Sequence, residues 1–574
     1  MEKKISDAYR KWMNSPSLSN EAKAELAAME NDEKEIRERF AQMLKFGTAG
    51  LRGIMRMGLN GMNIYTVRLA AQAMANVIIE ESGQNAGATI AYDSRSNSEL
   101  FAGESAKVLA ANGIRVNLFE SLRPTPELSF ALRQTGSLAG INITASHNTK
   151  EYNGFKAYWA DGSQIKEDIA GRIAAEMDRT DIFTGVRTMD LEKAAGEGLI
   201  RMLGKEMDEE YLAHVLEQSV GGSYVKQAAD ELKVIYTPFH GTGYQLVPEA
   251  LARLGMKHVI TVPEQMVIDG EFPTVRSPNP EYREGFAIAI DMAKKENVDL
   301  IIGTDPDGDR CGIVVRNGEE YRTLTGNQIG VLILDYLIRI RKEKGTLPEN
   351  AIAVKSIVST TMADRICAEQ GVTICNVLTG FKYIGEKIKE YESTGEHSFL
   401  FGFEESNGYL VGTYARDKDA VVASMLIAEM ACYYHLQGRT LQDAMDGLYE
   451  TYGQYREKVA SFVFEGLDGQ AKMGEIMERL RKQPPAEVGL KVERIRDYQA
   501  GRITDCATGA EEPTGLLQSN ILFYELAKSC TAIIRPSGTE PKIKFYIMAR
   551  GADAEEADQR LAQIEAAGSA MLSA

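Results

Sequence analysis

Three aspartates alternate with turn-forming residues in the segment DPDGDR, directly after the apolar run VDLIIGT. Pro306 and Gly308 interrupt extended backbone, so they can turn the carboxylates of Asp305, Asp307 and Asp309 toward one point. Three carboxylates at one point repel one another strongly unless a hard divalent cation lies between them. Because three protein oxygens leave coordination positions for water or a phosphate oxygen, the pattern favours Mg²⁺.

Other interpretations compete for this acidic loop. A calcium EF-hand needs glycine at its sixth position and glutamate at its twelfth, where this chain has Arg310 and Arg316, so that motif is excluded. An enzyme that forms an aspartyl phosphate would use Asp305 as nucleophile and Asp307 as acid or base. A solvated acidic turn is the third alternative. The third aspartate and the adjacent Arg310 favour the metal site.

A second polar loop begins where the run AGINIT enters TASHNTKEYNGFKAYW. Ser146 lies just beyond the end of that predicted strand, where open α/β sheets bind ligands, so it is a candidate nucleophile. The alternative is a turn serine that only bonds a backbone group. A Ser–His hydrolase is disfavoured because His147 is the immediate neighbour and the GxSxG motif is missing from this loop.

Two glycine-containing loops have the residue types of anion sites. The segment RPSGTEPK presents Arg535, Ser537, Gly538 and Thr539, which offer a guanidinium fork, hydroxyl donors and approachable backbone N–H groups. This combination favours a phosphate-binding loop over an ordinary charged turn. Near the other end of the chain, FGTAGLRG places Arg52 in a glycine-flanked loop that suits either an anion or a plain surface turn.

Sugar hydroxyls are the ligands suggested by the segment FGFEESNGY. Its closely spaced Glu404 and Ser406 combine acceptor and donor groups, although a helix N-cap explains the same residues equally well. Lys382, in LTGFKYIGEKI, either contacts a ligand or lies on a solvated surface. Together the loops describe a candidate nucleophile, a metal site, a hydroxyl-binding turn and a phosphate-binding loop. We therefore expect phosphoryl chemistry on a polyol.

Alternating helical and extended patterns connect these loops. The alternation begins near Thr66, restarts at KVIYTP and restarts again at LTGNQIGVLILDYLIRI, which predicts three α/β units with mixed, mainly parallel sheets. Residues 1 to about 45 have helical spacing and predict an N-terminal arm, whereas the last hundred or so residues predict an α+β domain. The predicted domains are 1–205, 206–322, 323–453 and 454–574.

Composition excludes several classes of protein. The chain has 574 residues, with 65 Lys and Arg against 82 Asp and Glu, and its formal net charge of −17 argues against a polybasic nucleic-acid or membrane binder. The N-terminus lacks the apolar core of a secretory signal. The apolar stretch from Ala420 to Leu436 contains Glu429 and predicts a buried helix. Six scattered cysteines disfavour a zinc site or disulfide framework, so we expect a cytoplasmic protein.

The four loops, in this order, resemble those of the α-D-phosphohexomutase family, which includes phosphoglucomutases and phosphomannomutases. TASHN resembles the family's phosphoserine loop, DPDGDR its metal loop, GFEESNG its sugar loop and RPSGTEPK its phosphate loop. FGTAGLRG and YTPFHGTG are also similar to family segments, so the resemblance extends from about residue 46 onward. It implies four domains around a central cleft, three of them related α/β units.

The resemblance also implies a reaction. Ser146 would carry a phosphoryl group, and one Mg²⁺ per chain would be held by Asp305, Asp307, Asp309 and an oxygen of that group. The phosphoryl group would pass to a sugar monophosphate, giving a bisphosphate whose other phosphate returns to Ser146. A sugar bisphosphate would therefore act as activator.

The resemblance assigns further roles around that reaction. Lys156 would be the general acid or base, because a lysine crowded by cations can lose its proton near neutral pH. Arg52 and Arg310 would add positive charge. The remaining residues would bind substrate: Glu404, Ser406 and Lys382 the sugar, and Arg535, Ser537, Gly538 and Thr539 the distant phosphate.

Substrate choice stays open at this point. Glucose 1-phosphate and glucose 6-phosphate are the expected pair; a phosphopentomutase, a phosphomannomutase, a sugar-bisphosphate synthase and a catalytically silent sugar-phosphate sensor are the alternatives. Thr149 stands where the family often has proline, which predicts a more flexible turn, and Gly408 stands where some members have histidine. Neither the oligomeric state nor the role of the N-terminal arm is predicted.

Overall fold

The computed structural model describes residues 2–464, 469–537 and 542–573. The chain divides into two compact units. Unit 1 comprises Met1–Ala351 and Phe381–Thr440, and unit 2 comprises Ile352–Gly380 and Leu441–Ala574. Unit 1 contains the loop around Ser146 (the serine loop), residues 305–309 (the aspartate loop) and residues 404–407 (the hydroxyl-binding turn). The predicted phosphate-binding loop, which begins at Arg535, belongs to unit 2.

The N-terminal arm is helical, as its apolar spacing predicts. Trp12 lies at the centre of an aromatic cluster, with ring centroids 5.7 Å from Phe40, 5.5 Å from Tyr65 and 5.4 Å from Phe183. Edge-to-face contacts of this kind stabilise aromatic cores, and they join the arm to the first α/β domain. The arm consists of α1 (Lys3–Met13), α2 (Asn20–Ala27) and α3 (Glu33–Phe40).

The first α/β domain contains a mixed sheet whose order, within the fully described stretch 2–464, is β1-β5-β4-β2-β3-β6. Strands β2, β3, β4 and β6 pair in parallel, and β5 and β1 add antiparallel strands at one edge. The strands are β1 (Leu51–Ile54), β2 (Ala88–Tyr92), β3 (Val116–Phe119), β4 (Ala139–Ile143), β5 (Tyr152–Trp159) and β6 (Ile200–Leu203). The helices are α4 (Ile64–Glu80), α5 (Ser98–Ala111), α6 (Thr125–Gln134), α7 (Glu167–Arg179) and α8 (Leu191–Gly196).

Strand β5 differs from the sequence-based expectation, which treated NGFKAYW as part of a loop. Its run of aromatic side chains favours extended structure, and pairing with β4 buries Phe155 and Tyr158. The register sets Lys156 opposite Asn142. Lys156 is therefore held on a strand rather than on a mobile loop.

The second domain has the sheet order β11-β10-β9-β7-β8 over the described residues. Strands β7, β8 and β9 are parallel, and β10 and β11 are antiparallel additions. The strands are β7 (Lys233–Thr237), β8 (His258–Thr261), β9 (Leu300–Thr304), β10 (Cys311–Asn317) and β11 (Glu320–Thr323). The helices are α9 (Lys205–Leu216), α10 (Gly222–Ala228), α11 (Gly243–Leu254), α12 (Pro263–Met266) and α13 (Ala287–Glu296).

The third α/β segment is divided between the two units. In unit 1, β14 and β15 form an antiparallel pair, and in unit 2, β12 and β13 form a parallel pair. The strands are β12 (Ala351–Ser356), β13 (Thr373–Val377), β14 (Ser398–Glu404) and β15 (Gly408–Leu410). The helices are α14 (Gly326–Glu343), α15 (Met362–Gln370), α16 (Phe381–Thr394), α17 (Ala420–His435) and α18 (Leu441–Tyr452).

Helix α17 is buried along nearly its whole length, as predicted for the long apolar stretch. Among the helices of the described residues, none is both long enough and apolar enough to span a membrane.

The C-terminal domain is built on an antiparallel sheet, and α20 packs on β23 over a core that includes Phe545 and Ile564. Its strands are β16 (Gln454–Val463), β17 (Glu487–Val488), β18 (Leu490–Asp497), β19 (Arg502–Asp505), β20 (Glu511–Pro513), β21 (Leu522–Leu526), β22 (Cys530–Pro536) and β23 (Lys542–Gly551), and its helices are α19 (Gly469–Lys482) and α20 (Ala554–Ser573). Three α/β domains with mixed sheets and a C-terminal sheet domain confirm the predicted fold class. The boundaries at 205, 322 and 453 stay predictions.

Candidate active site

Ser146 lies in the turn that follows β4, where it is buried and its backbone has a φ of +53°. Its N–H donates to Thr144 Oγ1 over 2.8 Å. Its hydroxyl donates to Asp305 Oδ2 over 2.9 Å, and His147 Nδ1 lies 3.2 Å away. The candidate nucleophile of the first domain is therefore in direct contact with the aspartate loop of the second.

The aspartate loop leaves β9, whose residues are all buried. One carboxylate oxygen each of Asp305, Asp307 and Asp309 lies within 4.8 Å of the other two, and all three residues are buried. Within the described residues, Asp307 Oδ1 and Asp309 Oδ1 accept no hydrogen bond. Buried polar atoms normally have a partner, so this oxygen-only set, which we call the aspartate cluster, is suited to a hard divalent cation.

Two buried ammonium groups balance the charge of the aspartate cluster. Lys156 Nζ lies 2.5 Å from Asp307 Oδ2 and 3.2 Å from Asp309 Oδ2, and Lys418 Nζ lies 3.3 Å from Asp309 Oδ2. Burial and the neighbouring carboxylates raise the pKa of Asp305 well above its usual range. Burial acts in the same direction on the other two, but the lysines keep the pKa of Asp307 and Asp309 below the usual value. The cluster thus retains negative charge despite its burial.

The expectation that cations depress the pKa of Lys156 is wrong for this structure. Burial does favour the neutral amine, but the contacts with Asp307 and Asp309 outweigh it and raise the pKa of Lys156. Lys156 is therefore protonated at neutral pH in this structure.

Arg52 and Arg310 each bind a side chain close to this contact between loops. Arg52, on β1, donates to Asn148 Oδ1 over 2.9 Å and so lies beside the serine loop. A Cβ at Gly50 would lie 1.8 Å from the carbonyl oxygen of Phe155, so only glycine allows this close approach to β5. Arg310 follows the aspartate loop and donates to Glu281 Oε1 over 3.0 Å.

The hydroxyl-binding turn connects β14 to β15 and is fixed to the strand that follows the aspartate loop. Asn407 has a φ of +63°, its side chain donates to the Cys311 carbonyl over 3.1 Å, and its own carbonyl accepts from Cys311 N–H over 3.0 Å. Glu404 is buried and Ser406 is half-buried. A Cβ at Gly408 would lie 2.1 Å from Lys418 Cδ, so the side chain of Lys418 occupies the space that a larger residue would need.

Lys382 is paired with a carboxylate that is not part of the aspartate cluster. Its ammonium lies 2.7 Å from Glu167 Oε1 on α7 and 4.9 Å from the centre of the Tyr383 ring. A role in ligand binding would require this ion pair to open.

The phosphate-binding loop follows β22 in unit 2, and part of it is described. Arg535 and Ser537 are half-buried, and Arg535 Nη1 donates to the Tyr546 hydroxyl over 3.5 Å. Gly538 and Thr539 lie outside the described residues.

Sequence reasoning missed three residues at this site. Thr125 Oγ1 donates to Asp307 Oδ2 over 2.9 Å, Lys418 contacts Asp309, and Arg95 donates to main-chain carbonyls of the serine loop. The segment RDKD that contains Lys418 stands just before an apolar helix, which is a detectable signal. Arg95 follows β2, whose carboxyl end adjoins that of β4, so strand order was needed to place it.

Comparisons with family models and with known proteins all match this chain to phosphoglucomutases and phosphomannomutases. The chain matches the phosphoglucomutase/phosphomannomutase α/β/α domain I over residues 43–182, domain II over 209–318 and domain III over 325–452. It is 38% identical to a phosphoglucomutase of Staphylococcus haemolyticus over 519 residues, which cover 88% of this chain and 90% of that one. A phosphoglucomutase of Staphylococcus aureus is 35% identical over 529 residues, or 92% of this chain and 93% of its own length.

Solved structures share the fold. A putative phosphomannomutase from Thermus thermophilus superposes with a TM-score of 0.67 at 21% identity, covering 91% of this chain and 99% of that one. A phosphoglucomutase from Paramecium superposes with a TM-score of 0.68 at 17% identity, covering 92% of this chain and 94% of that one.

Proposed function

The chain belongs to the phosphoglucomutase/phosphomannomutase family, and from this premise we propose that it interconverts glucose 1-phosphate and glucose 6-phosphate through a phosphorylated Ser146. Phosphoglucomutases at 35–38% identity over most of the chain support this substrate pair. The observation that carries the chemistry is the 2.9 Å contact between Ser146 Oγ and Asp305 in the aspartate cluster. It sets a hydroxyl nucleophile against a buried anionic site.

One Mg²⁺ per chain would be held by Asp305, Asp307 and Asp309 together with an oxygen of the phosphoryl group on Ser146. The all-oxygen donor set and the two carboxylate oxygens without hydrogen bonds fit such an ion. When bound, it would neutralise phosphoryl charge and polarise the phosphorus centre.

The protein's own groups account for the rest of the reaction. The phosphoryl group leaves Ser146 Oγ, which takes the proton of Lys156, and bonds to a free hydroxyl oxygen of glucose monophosphate, whose proton passes to the Lys156 amine. The resulting bisphosphate reorients, and its other phosphate returns to Ser146. Phosphoryl transfer depends mainly on positioning and charge neutralisation, which Lys156, Arg52 and Arg310 supply. Lys156, protonated in the resting site, gives its proton to the oxygen that loses the phosphoryl group.

Substrate binding is assigned to the other loops. Glu404 and Ser406 bind sugar hydroxyls, and Lys382 joins them once its ion pair with Glu167 opens. The distant phosphate is bound by Arg535, Ser537, Gly538 and Thr539, whose residue types suit a dianion. Glucose 1,6-bisphosphate acts as activator, because it phosphorylates Ser146. The partners are small sugar phosphates, neither nucleic acid nor membrane, and the site of action is the cytoplasm.

A substrate panel tests this proposal. Glucose 1-phosphate, mannose 1-phosphate, ribose 1-phosphate and deoxyribose 1-phosphate are each assayed with Mg²⁺ and a catalytic amount of the matching bisphosphate. We expect the highest kcat/KM for glucose 1-phosphate, and no turnover for Ser146→Ala. Ser105→Ala is the matched control, because Ser105 is a buried serine of α5 that bonds only the Phe101 carbonyl in the described structure. A higher kcat/KM for a pentose phosphate would assign the chain to phosphopentomutase activity instead.

A further inference from the structure

The backbone conformation of Ser146 is unusual for the residue that carries the chemistry. Its φ of +53° lies in the left-handed region, which residues with a Cβ rarely adopt outside special turns. Such a conformation persists only where the surrounding structure fixes it. The contact between Ser146 Oγ and Asp305 depends on this backbone geometry, so whatever fixes the turn also sets the direction of the nucleophile.

A single guanidinium group binds the carbonyl oxygens of that turn. Arg95 Nη2 donates to the carbonyl oxygens of Ser146 and Asn148, each over 2.5 Å. Arg95 Nη1 donates to the carbonyl oxygens of Thr149 and Tyr152, over 2.9 Å and 3.1 Å. All four acceptors belong to the segment 146–152 that begins at the nucleophile.

The side chain of Arg95 is itself held by Asp93 and by the ring of Phe272. Its side chain is fully buried, with Nε 3.3 Å from Asp93 Oδ2, and Asp93 Oδ1 accepts from the Ser98 hydroxyl over 2.7 Å. The guanidinium carbon lies 5.0 Å from the centre of the Phe272 ring, which comes from the second domain. Because Asp93 follows β2 and Ser146 follows the neighbouring β4, the adjacency of these strands brings the guanidinium under the turn.

We propose that Arg95 is a positioning residue for the phosphoryl-transfer reaction: it holds the Ser146 turn in its left-handed conformation, so that Oγ faces the aspartate cluster. The inference rests on the proposed function only for its effect on turnover. A change of Ser146 from its left-handed φ to an ordinary negative φ would move its carbonyl away from Arg95 and reorient its Cα–Cβ bond, and with it Oγ, relative to Asp305. The Thr149 carbonyl is one of the bound acceptors, so Arg95 restrains the turn at the position where the family often has proline.

The geometry also predicts that lysine cannot replace Arg95. A planar guanidinium presents donors in a fixed fork that spans two pairs of carbonyls, whereas an ammonium is a compact group with three donors. The variant Arg95→Lys therefore keeps the positive charge beside Asp93 but loses the spanning contacts.

The test compares full-length wild type, Arg95→Lys and the double variant Asp93→Asn/Arg95→Gln. The double variant removes both members of the buried ion pair and so leaves no uncompensated charge. It provides the test if Arg95→Lys fails to fold. Arg133→Lys is the control, because Arg133 also binds two carbonyl oxygens in unit 1, those of Thr413 and Tyr414, outside the active site. The two readouts are amide hydrogen exchange of residues 145–152 and the separate values of kcat and KM.

For both Arg95 variants we expect amides of the turn to exchange at least about tenfold faster while the strands of the first sheet keep their protection. We expect kcat to fall about 10- to 100-fold with KM for glucose 1-phosphate changed less than about threefold, since displaced catalytic groups lower the rate of the chemical step. Arg133→Lys should show neither change. Wild-type exchange in the turn, or faster exchange with unchanged kcat, would overturn the proposal. If wild type turns over no sugar phosphate, the proposed function fails, and the exchange data alone then decide whether Arg95 fixes the turn.

Discussion

Two clusters of buried and half-buried carboxylates in unit 1 have similar composition but differ in their electrostatics. The aspartate cluster consists of Asp305, Asp307 and Asp309 beside Lys156 and Lys418. The second, which we call the Glu127 cluster, consists of Glu127, Asp208 and Asp419 beside Arg123. Both combine three acidic side chains with buried or half-buried cations.

The clusters differ in which of their carboxylates stay ionised. In the aspartate cluster, ammonium groups keep the pKa of Asp307 and Asp309 below the usual value, so these carboxylates stay ionised.

In the Glu127 cluster, burial and Asp208 raise the pKa of Glu127 well above its usual value, and burial raises that of Asp419. Arg123 contacts Asp208 through two nitrogens, at 2.6 Å and 3.0 Å, and the hydroxyls of Tyr211 and Tyr414 donate to Asp419. Convergence of oxygens with retained charge, rather than burial alone, is therefore what makes the aspartate cluster suited to a divalent cation.

Replacing one carboxylate of each cluster with the amide of the same shape should give the largest difference in kcat/KM between the two clusters. Asp307→Asn removes a charged oxygen from the aspartate cluster, and we expect kcat/KM for glucose 1-phosphate to fall roughly 10³-fold at millimolar Mg²⁺, since metal-held charge neutralisation is lost. Glu127→Gln, the matched control, should stay within about twofold of wild type. Steady-state assays of both variants check this, and equal losses of activity would contradict the distinction.

Replacing one cationic side chain in each cluster should give the next largest difference in kcat between the two clusters. Lys156→Met is expected to lower kcat about 10²-fold, the usual contribution of a proton-transferring group, and to destabilise the fold by leaving carboxylates unpaired. Arg123→Met should also lower the unfolding midpoint, because it leaves the half-buried Asp208 without its partner, yet kcat per folded molecule should be retained. Parallel measurements of kcat and urea midpoint test this, and a comparable loss of kcat in Arg123→Met would refute it.

Metal binding should stabilise the protein through the aspartate cluster only. At about 100 times its Kd, Mg²⁺ stabilises a protein to which it binds only in the folded state by about 2.7 kcal/mol. Thermal unfolding with Mg²⁺ and after chelation should therefore show an upward shift of the midpoint in wild type and in Glu127→Gln. Asp307→Asn should show a smaller shift, and an undiminished one would place the ion elsewhere.

The pH dependence of stability should report the Glu127 cluster. Because folding raises the pKa of Glu127 above its ordinary value of 4.5, the protonated form is favoured in the folded state. Its stabilising contribution is fully present below that ordinary value and is lost as pH rises through the raised folded pKa. Glu127→Gln mimics the protonated form, so its stability advantage over wild type should grow as pH rises above 4.5. The check is to measure the urea unfolding midpoints of wild type and Glu127→Gln as a function of pH. A constant difference between the two midpoints at all pH values would contradict this assignment.

The fold was largely accessible from the sequence because its signals are local. Apolar runs such as ATIAYD and AGINIT, separated by helix-period segments, predict β2, β4 and the helices between them. The aspartate loop and Ser146 were recognisable because each follows such a run with residues that suit only a few chemistries. Strand β5 was missed, because NGFKAYW adjoins a loop rich in polar residues and lacks the alternation of polar and apolar side chains.

The parts of the site that were missed depend on tertiary adjacency. Arg95 and Ser146 are 51 residues apart, and only the order of strands in the sheet makes them neighbours. The direction of the Lys156 pKa was predicted wrongly because the sequence shows nearby cations, whereas the strand register places the ammonium against Asp307 and Asp309. The left-handed backbone of Ser146 has no signal in residue type, since serine has no special preference for it.

The central claim, that Ser146 carries the phosphoryl group, is tested most directly by locating that group. The full-length protein is incubated with glucose 1,6-bisphosphate and Mg²⁺, digested, and analysed by mass spectrometry. We predict one phosphoryl group per chain, on Ser146, and none in Ser146→Ala. A phosphoryl group on Asp305, or a phosphorylated chain that persists in Ser146→Ala, would contradict the account.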